Sequence, residues 1–268
     1  MAYLTNKELH AFFNKLKNAD KTTKILYKQY PYSVTKVLDT LKRPFDKEKK
    51  AEEMFQKYYD VEGHQYYHKE AWEIINMWEE KADISRKTGS MLDDYIGAIL
   101  TDNIELADKL YNSDSADEYH RRERFDNFKI LYKEVLQQNN FEYACREIML
   151  FDGNKFLKGR FDAIFIKGDK ICLFDWKSNE KLSTESSYGN MLGPLYKYDD
   201  CDLNGYTIQL YIYKYILKNV YGIDNEIIPC LCRIGPDKFE IYNHNIEYSD
   251  KLVEDIFKWA KQKLIENK

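Results

Sequence analysis

The stretch Gly159-Arg160-Phe161-Asp162, followed by Ile171-Cys172-Leu173-Phe174-Asp175-Trp176-Lys177, decides the fold of this chain. Residues 156–166 predict one strand and residues 171–176 predict a second, because both runs are rich in β-branched and aromatic residues. A Gly-Asp turn signal lies between them at residues 168–169. The segment is therefore predicted to form a β-hairpin, with Asp162 in the first strand and Asp175 at the end of the second.

Asp175 and Lys177 are predicted to share one face of this hairpin, because side chains alternate along a strand. Two carboxylates on neighbouring strands suit Mg²⁺ or Mn²⁺, and a lysine beside such an ion can orient or deprotonate water. The alternative interpretation is an ordinary hairpin that ends in a surface Asp-Lys pair. Glu147, in the candidate strand 142–150, would add a third acidic group to the same sheet.

Together these blocks resemble the PD-(D/E)XK nuclease superfamily, in particular its RecB-like and phage exonuclease branches. The family pattern is an acidic strand residue, then Gly-x-x-Asp, then a hydrophobic run ending in Asp/Glu-x-Lys, then a helix carrying Gln-x-x-x-Tyr. The matching residues are Glu147, Gly159 with Asp162, Asp175 with Lys177, and Gln209 with Tyr213. The resemblance spans roughly residues 32–233.

The resemblance implies a role for each matching residue of the strands. Asp162 and Asp175 would ligate the metal, with the backbone carbonyl of Trp176 as a further ligand. Lys177 would be the catalytic lysine, and Glu147 would be a ligand or would orient the water.

Gln209 and Tyr213 fall in the helical run 205–221, where a four-residue separation places both side chains on one face. The resemblance implies that they meet the DNA or the active-site lysine. The alternative is that Tyr213 packs against the sheet like the other tyrosines of this helix.

Residues 85–97 resemble the first motif of the family, in which Gly-Ser/Thr-x-x-His is followed by a glutamate. Asp93 stands where the histidine usually is, and Gly97 stands where the glutamate would be. An aspartate oxygen can ligate a hard cation, so Asp93 is a further candidate metal ligand. The alternatives are weaker metal binding, a different reaction, or that Asp93 and Asp94 are acids at a helix N-terminus.

The periodicities predict an α/β fold. Residues 1–140 read as almost wholly helical, with helices at 47–59, 69–80, 90–100 and 117–138, and Ser33 or Thr35 capping a short helix from 37 to 41. Strands are then predicted within 142–176, at 226–233 and at 238–243, and helices at 205–221 and 252–265.

The resemblance implies a restriction-endonuclease-like core in residues 141–268, with a central mixed β-sheet flanked by helices. Residues 1–140 would be a large helical part that carries the first motif and forms one wall of a DNA channel. The two parts would form one integrated domain.

Composition agrees with an intracellular enzyme. The chain has 268 residues, 44% of them hydrophobic, and a formal net charge of −4, which is not typical of a protein that coats DNA. Its five cysteines lack the set that holds an iron–sulfur cluster in some RecB-like proteins, so we expect no cluster. We find neither a signal peptide nor a membrane-spanning run, which predicts the cytoplasm of a bacterium or of a phage-infected host.

The sequence therefore predicts a Mg²⁺- or Mn²⁺-dependent deoxyribonuclease, of the exonuclease type implied by the resemblance, in recombination, repair or phage DNA processing. Its partner would be single- or double-stranded DNA, processed from an end, with a recombination protein as a further candidate. One alternative is a catalytically silent DNA-binding or recombination-partner module, favoured by the two departures in the first motif and opposed by the intact Asp-x-Lys. Another is an RNA-directed nuclease, because the metal chemistry does not depend on the sugar.

Overall fold

Two β-sheets form the centre of the protein, and helices pack against them. The computed structural model describes residues 2–19, 26–186 and 189–266. The larger sheet has five strands in the order β2-β5-β6-β7-β8. These strands are β2 (Glu142–Arg146), β5 (Ala163–Lys167), β6 (Lys170–Lys177), β7 (Ile227–Ile234) and β8 (Phe239–Tyr242).

The five-stranded sheet is mixed. Strands β6 and β7 are parallel, and the other neighbouring pairs are antiparallel. The parallel connection from β6 to β7 passes through helix α8 (Asp202–Asn219), as parallel strands require a long crossover. The predicted fold class, an α/β protein with a central mixed sheet flanked by helices, is confirmed.

A second, smaller sheet contains part of a segment that the sequence predicts as one strand. It contains β1 (Tyr32–Ser33), β4 (Leu157–Arg160) and β3 (Met149–Phe151), in that order. The prediction of one continuous strand over residues 156–166 is wrong, because β4 and β5 belong to different sheets and Asp162 lies in the gap between them. The hairpin turn itself is confirmed, since Lys167 pairs with Lys170 around Gly168, whose φ is +64°.

The predicted strand over residues 142–150 is also divided in two. Glu147 lies between β2 and β3 with φ at +52°, a left-handed conformation that cannot continue a strand. Its backbone N–H donates to the carbonyl oxygen of Asp162 at 3.0 Å. The two breaks therefore face each other, and they place Glu147 beside Asp162.

Helices make up most of the described chain before residue 140. They are α1 (Asn6–Asn18), α2 (Val34–Asp39), α3 (Lys47–Tyr58), α4 (Ala71–Leu100), α5 (Ile104–Tyr111), α6 (Asp114–Asp117) and α7 (Arg121–Ile130), which continues as a π-helix over Leu131–Gln137. The helix α9 (Asp250–Glu266) follows the last strand. Ser33 caps α2 by accepting from the N–H of Lys36 at 3.1 Å, as predicted, although the helix begins at Val34 rather than at residue 37.

Helix α4 differs most from its prediction. Two helices were expected, at residues 69–80 and 90–100, but one helix of 30 residues runs from Ala71 to Leu100. Asp93 and Asp94 therefore lie in the last third of a continuous helix. The alternative that they are acids at a helix N-terminus is wrong.

Both faces of the five-stranded sheet are covered by hydrophobic side chains. On one face Ile164 and Leu173 pack in a cluster with residues of α8 and α9. On the other face Phe165, Phe174 and Trp176 pack in a cluster with residues of α4 and α7. This alternation fixes the register, because a shift by one residue would exchange the two faces.

Segments on either side of residue 140 share secondary structure. Strand β1 pairs in parallel with β4, matching Tyr32 to Leu157, and Ala2 forms a bridge with Ile223. Across the parts of the chain that the structure describes, we find no helix that is both long and apolar enough to cross a membrane.

Candidate metal and catalytic site

Asp175 and Lys177 lie side by side at the end of β6. The Nζ of Lys177 is 2.6 Å from Oδ2 of Asp175, which confirms the predicted shared face. The Asp175 side chain is only 1% exposed. The ammonium forms an ion pair with Oδ2, whereas within the described residues the buried Oδ1 accepts no hydrogen bond. A buried carboxylate oxygen without a donor is energetically costly and is available to a cation.

Asp162 joins this pair from the gap between β4 and β5. Its Oδ2 accepts a hydrogen bond of 2.7 Å from the backbone N–H of Trp176, the residue between Asp175 and Lys177. The residue is partly exposed at the surface, yet protein atoms surround its carboxylate closely. The structure thus brings together Asp162, Asp175, Trp176 and Lys177.

The electrostatics of the three charged groups depend on one another. Burial, reinforced by the negative charge of Asp175, raises the pKa of Asp162 to about 8. Burial also raises the pKa of Asp175, although Lys177 opposes it. For Lys177, burial alone would lower the pKa, but the two carboxylates outweigh it and the pKa is raised. Lys177 therefore remains an ammonium ion, and the two aspartates lack enough positive charge to ionise together easily.

The donors of this site fit a hard divalent cation. Two desolvated carboxylates whose negative charges repel each other gain from an added positive charge. Within residues 2–19, 26–186 and 189–266 there is no group of three or more His, Cys, Asp or Glu side chains that could hold a metal ion. The predicted ligand set needs two carboxylates, which Asp162 and Asp175 provide, and takes its remaining donors from backbone and water.

Asp93 is engaged by an arginine. Its Oδ2 accepts from Nη2 of Arg146 at 2.8 Å, and its carbonyl oxygen accepts from the same nitrogen at 3.1 Å. Burial raises the pKa of Asp93, and Arg146 opposes that shift. The negative charge of Asp93 also contributes to the raised pKa of Asp162. Ligation of a metal by Asp93 stays a prediction.

The backbone of Glu147 is hydrogen-bonded to Asp162, and its side chain faces two arginines. One carboxylate oxygen is 3.3 Å from Nη2 of Arg160, and the other is 3.6 Å from Nη2 of Arg146. Its predicted role as a ligand or an orienter of water stays a prediction.

Gln209 and Tyr213 are stacked on α8, as their spacing predicted. The Gln209 amide is 3.5 Å from the Tyr213 hydroxyl, which donates to the carbonyl oxygen of Arg160 at 2.9 Å. Both residues, together with Lys158 and Arg160, line an open cavity of about 370 Å³ beside the gap that holds Asp162. Tyr213 is 3% exposed, so it also packs in the core as the alternative interpretation held.

Two residues near the site were missed from the sequence. The Nζ of Lys177 lies 4.3 Å from the ring centroid of Tyr206, a cation–π contact. Tyr206 precedes Gln209 by three residues and Tyr213 by seven, so helical periodicity could have placed it on the same face. Arg146 had no comparable signal, because its partner Asp93 is 53 residues away in sequence.

Comparison with solved structures gives distant structural likenesses, including two crystal structures. No family model matches the chain, and no curated protein matches it. The crystal structure of a candidate exonuclease from Eubacterium rectale aligns with a TM-score of 0.41 and 12% identity, over 68% of this chain. That alignment spans 65% of the Eubacterium rectale chain. The crystal structure of SSO0001 aligns with a TM-score of 0.29 and 16% identity, over 68% of this chain and 75% of the other. At these values neither likeness bears on the activity of this chain.

Proposed function

We propose that the protein is a metal-dependent nuclease of the PD-(D/E)XK type that hydrolyses phosphodiester bonds. The observation that supports this best is the juxtaposition of Asp162, Asp175 and Lys177 at the end of β6, with the lysine 2.6 Å from the second carboxylate. These three residues are also the ones that match the motif in the sequence. An ordinary surface Asp-Lys pair would not be almost completely buried.

Asp162 and Asp175 would hold Mg²⁺ or Mn²⁺, with the carbonyl of Trp176 as a further ligand. A divalent ion in such a site neutralises charge on a phosphodiester and activates water for hydrolysis. The protein would supply two desolvated carboxylates whose mutual repulsion an added cation would offset.

Lys177 would act as a cation and hydrogen-bond donor. Because its pKa is raised, it keeps its proton near neutral pH and is better suited to orient water and stabilise charge on the phosphate than to accept a proton. The Tyr206 ring holds the ammonium from the side of α8. Gln209 and Tyr213 would position the strand that enters the adjacent cavity, and Glu147 would act next to Asp162.

The substrate would be DNA, single- or double-stranded, which the enzyme processes from an end during recombination, repair or phage DNA processing. Lys158 and Arg160 line the cavity beside the site and could contact phosphates there. The exonuclease mode and a recombination partner protein come from the motif resemblance, as does the phage context.

The test is a nuclease assay on linear DNA with Mg²⁺, with Mn²⁺ and with EDTA. We expect Asp175→Asn and Lys177→Met each to lower the rate at least 100-fold, because each removes a group at the reacting centre. Matched controls are Asp169→Asn and Lys170→Met, which change the same residue types at the other end of β6, where Asp169 accepts from the Tyr3 hydroxyl and Lys170 pairs with Glu226. Full activity of both site variants would refute the proposal.

A catalytically silent DNA-binding module is the second candidate. The ion pair between Asp93 and Arg146 favours it, because this pairing occupies the carboxylate that stands in place of the motif histidine. Calorimetric titration with Mn²⁺ separates the candidates: a nuclease should bind the ion in a way that depends on Asp162, and a decayed site should not.

An RNA-directed nuclease differs from the proposal only in its substrate. Cleavage of matched DNA and RNA strands under the same metal conditions decides between them. Faster cleavage of the RNA strand would replace the DNA assignment.

A further inference from the structure

The guanidinium of Arg146 lies directly over Gly97 of helix α4. A Cβ atom added at Gly97 would lie 1.3 Å from Nη1 of Arg146, so a larger residue at this position would displace the guanidinium from its present place. Arg146 ends β2 and pairs in register with Ala163, the residue after Asp162. Glycine at position 97 therefore allows Arg146 to extend from the five-stranded sheet onto helix α4, next to the site.

Arg146 connects helix α4 to the gap between β2 and β3. Its Nη2 is bound by the carboxylate and the carbonyl of Asp93 at 2.8 and 3.1 Å, and it lies 3.6 Å from the carboxylate of Glu147. Only 17% of the Arg146 side chain is exposed. Hydrogen bonds between charged groups are strong in such partly buried surroundings, so this contact is a fixed point of the site.

Glu147 connects Arg146 to Asp162. Its N–H donates to the Asp162 carbonyl, and its carboxylate pairs with Arg160, two residues before Asp162. Glu147 also has the left-handed φ of +52°, which costs energy in a residue with a side chain and persists only where neighbours hold it. The neighbours that hold its side chain are Arg146 and Arg160.

We propose that Arg146 is a positioning residue of the site, which acts on Asp162 through Glu147, and that Asp93 anchors Arg146 instead of ligating the metal ion. The proposal rests on the nuclease function for its catalytic meaning. It explains both departures from the first motif together: Gly97 admits the guanidinium, and Asp93 holds it. A glutamate at position 97, as in the motif, would displace the guanidinium from this place.

The first test is hydrogen exchange of the metal-free protein, which needs no activity. We expect Arg146→Met and Gly97→Ala each to increase the exchange rate of residues 147–163 at least threefold. Gly97→Ala keeps Arg146 but displaces its guanidinium from helix α4. Because both substitutions remove the same contact, the double variant Arg146→Met/Gly97→Ala should exchange no faster than the faster of the two single variants. Arg122→Met, which breaks an ion pair with Asp117 on another helix, is the matched control and should leave this segment unchanged.

The second test is calorimetric titration with Mn²⁺. We expect Arg146→Met to weaken Mn²⁺ binding about tenfold through misplacement of Asp162. Asp93→Asn keeps an acceptor for Arg146 but loses the charge of a ligand, so it should change the affinity less than threefold, whereas Asp162→Asn should abolish binding.

Two results would overturn the proposal. One is unchanged exchange of residues 147–163 in Arg146→Met, and the other is loss of Mn²⁺ binding in Asp93→Asn, which would make Asp93 a ligand. If the wild-type protein neither binds Mn²⁺ nor cleaves DNA, the nuclease function fails, while the exchange experiment still decides the positioning role.

Discussion

Ionisation of Asp162 is unfavourable in the metal-free protein. Its pKa in the folded state is raised to about 8, whereas an unfolded aspartate ionises near pH 4. Between these values the folded state binds the additional proton, so the free energy of unfolding falls as the pH rises. Asp175, whose pKa is also raised, acts in the same direction.

We therefore expect the metal-free protein to lose roughly 1–3 kcal/mol of stability between pH 5 and pH 8 through these groups. Asp162→Asn should remove much of this loss, because the amide can still accept from the N–H of Trp176 but never ionises. Urea unfolding in EDTA at several pH values measures both. Parallel stability curves for the wild type and Asp162→Asn would contradict the raised pKa.

Gly159 allows Tyr213 to approach β4. A Cβ atom at position 159 would lie 2.5 Å from Cε1 of Tyr213 and 2.5 Å from Cγ2 of Val34. We expect Gly159→Ala to destabilise the protein by about 1–3 kcal/mol, as overpacking of a core does. Chemical unfolding measures the change.

The control for Gly159 is Gly205→Ala in helix α8. Its Cβ would meet only ordinary contact, 3.8 Å from Cε of Lys42, and alanine favours a helix. This variant should be as stable as the wild type or more stable by about 0.5–1 kcal/mol. Equal losses in both variants would show that the contact with Tyr213 is not the cause.

At the scale of elements, the exit of the chain from β6 depends on Arg233 of β7. Arg233 pairs in register with Lys177 and donates to the carbonyls of Asn179 and Glu180, just after the lysine. It is 3% exposed and also binds Glu240 at 2.8 Å. The segment that follows Lys177 is thus tied to the neighbouring strand.

Arg233→Met should destabilise the protein by roughly 2–4 kcal/mol, because it removes the buried guanidinium that donates to the carbonyls of Asn179 and Glu180 and pairs with Asp237 and Glu240. Thermal or urea unfolding measures this. Lys238→Met removes an exposed partner of the same Glu240 and should cost less than about 1 kcal/mol. A loss in Lys238→Met as large as that in Arg233→Met would mean that Glu240, and not the buried arginine, is the important group.

The elements themselves were predictable where local periodicity decides them. The hairpin turn and the shared face of Asp175 and Lys177 follow from alternation along one strand. The breaks at Glu147 and Asp162 could not be predicted in this way. The residues around them favour strands, and only contacts between the two sheets bend the chain there. Helix α4 was divided in the prediction at a polar segment that contains Gly89, but packing against the sheet outweighs one helical glycine.

The candidate site was predictable to the same extent. Asp162, Asp175, Lys177, Gln209 and Tyr213 could be selected by motif and spacing, and they lie together. The partners of Asp93 and Glu147 could not be predicted from the sequence, because Arg146 contacts Asp93 only through the packing of α4 on β2. Long-range ion pairs of this kind leave no periodic trace in a sequence.

For the whole molecule, a bound ion should act as a stabiliser. If Mn²⁺ binds the folded protein alone, a concentration 100-fold above its Kd adds about 2.7 kcal/mol to the free energy of unfolding. We expect the melting temperature to rise by roughly 5 °C in the wild type and not in Asp175→Asn. Differential scanning calorimetry, with EDTA to reverse the shift, measures it. An equal rise in both proteins would place the ion elsewhere.

The parallel pairing of β1 with β4 has a consequence for biosynthesis. Tyr32 finds its partner only at Leu157, and Ala2 finds its partner only at Ile223. The early segments therefore leave the ribosome long before the strands that pair with them. Until those strands are synthesised, the apolar side chains of the early segments stay exposed. We expect the nascent chain to need chaperone protection until the segment around residue 223 has emerged.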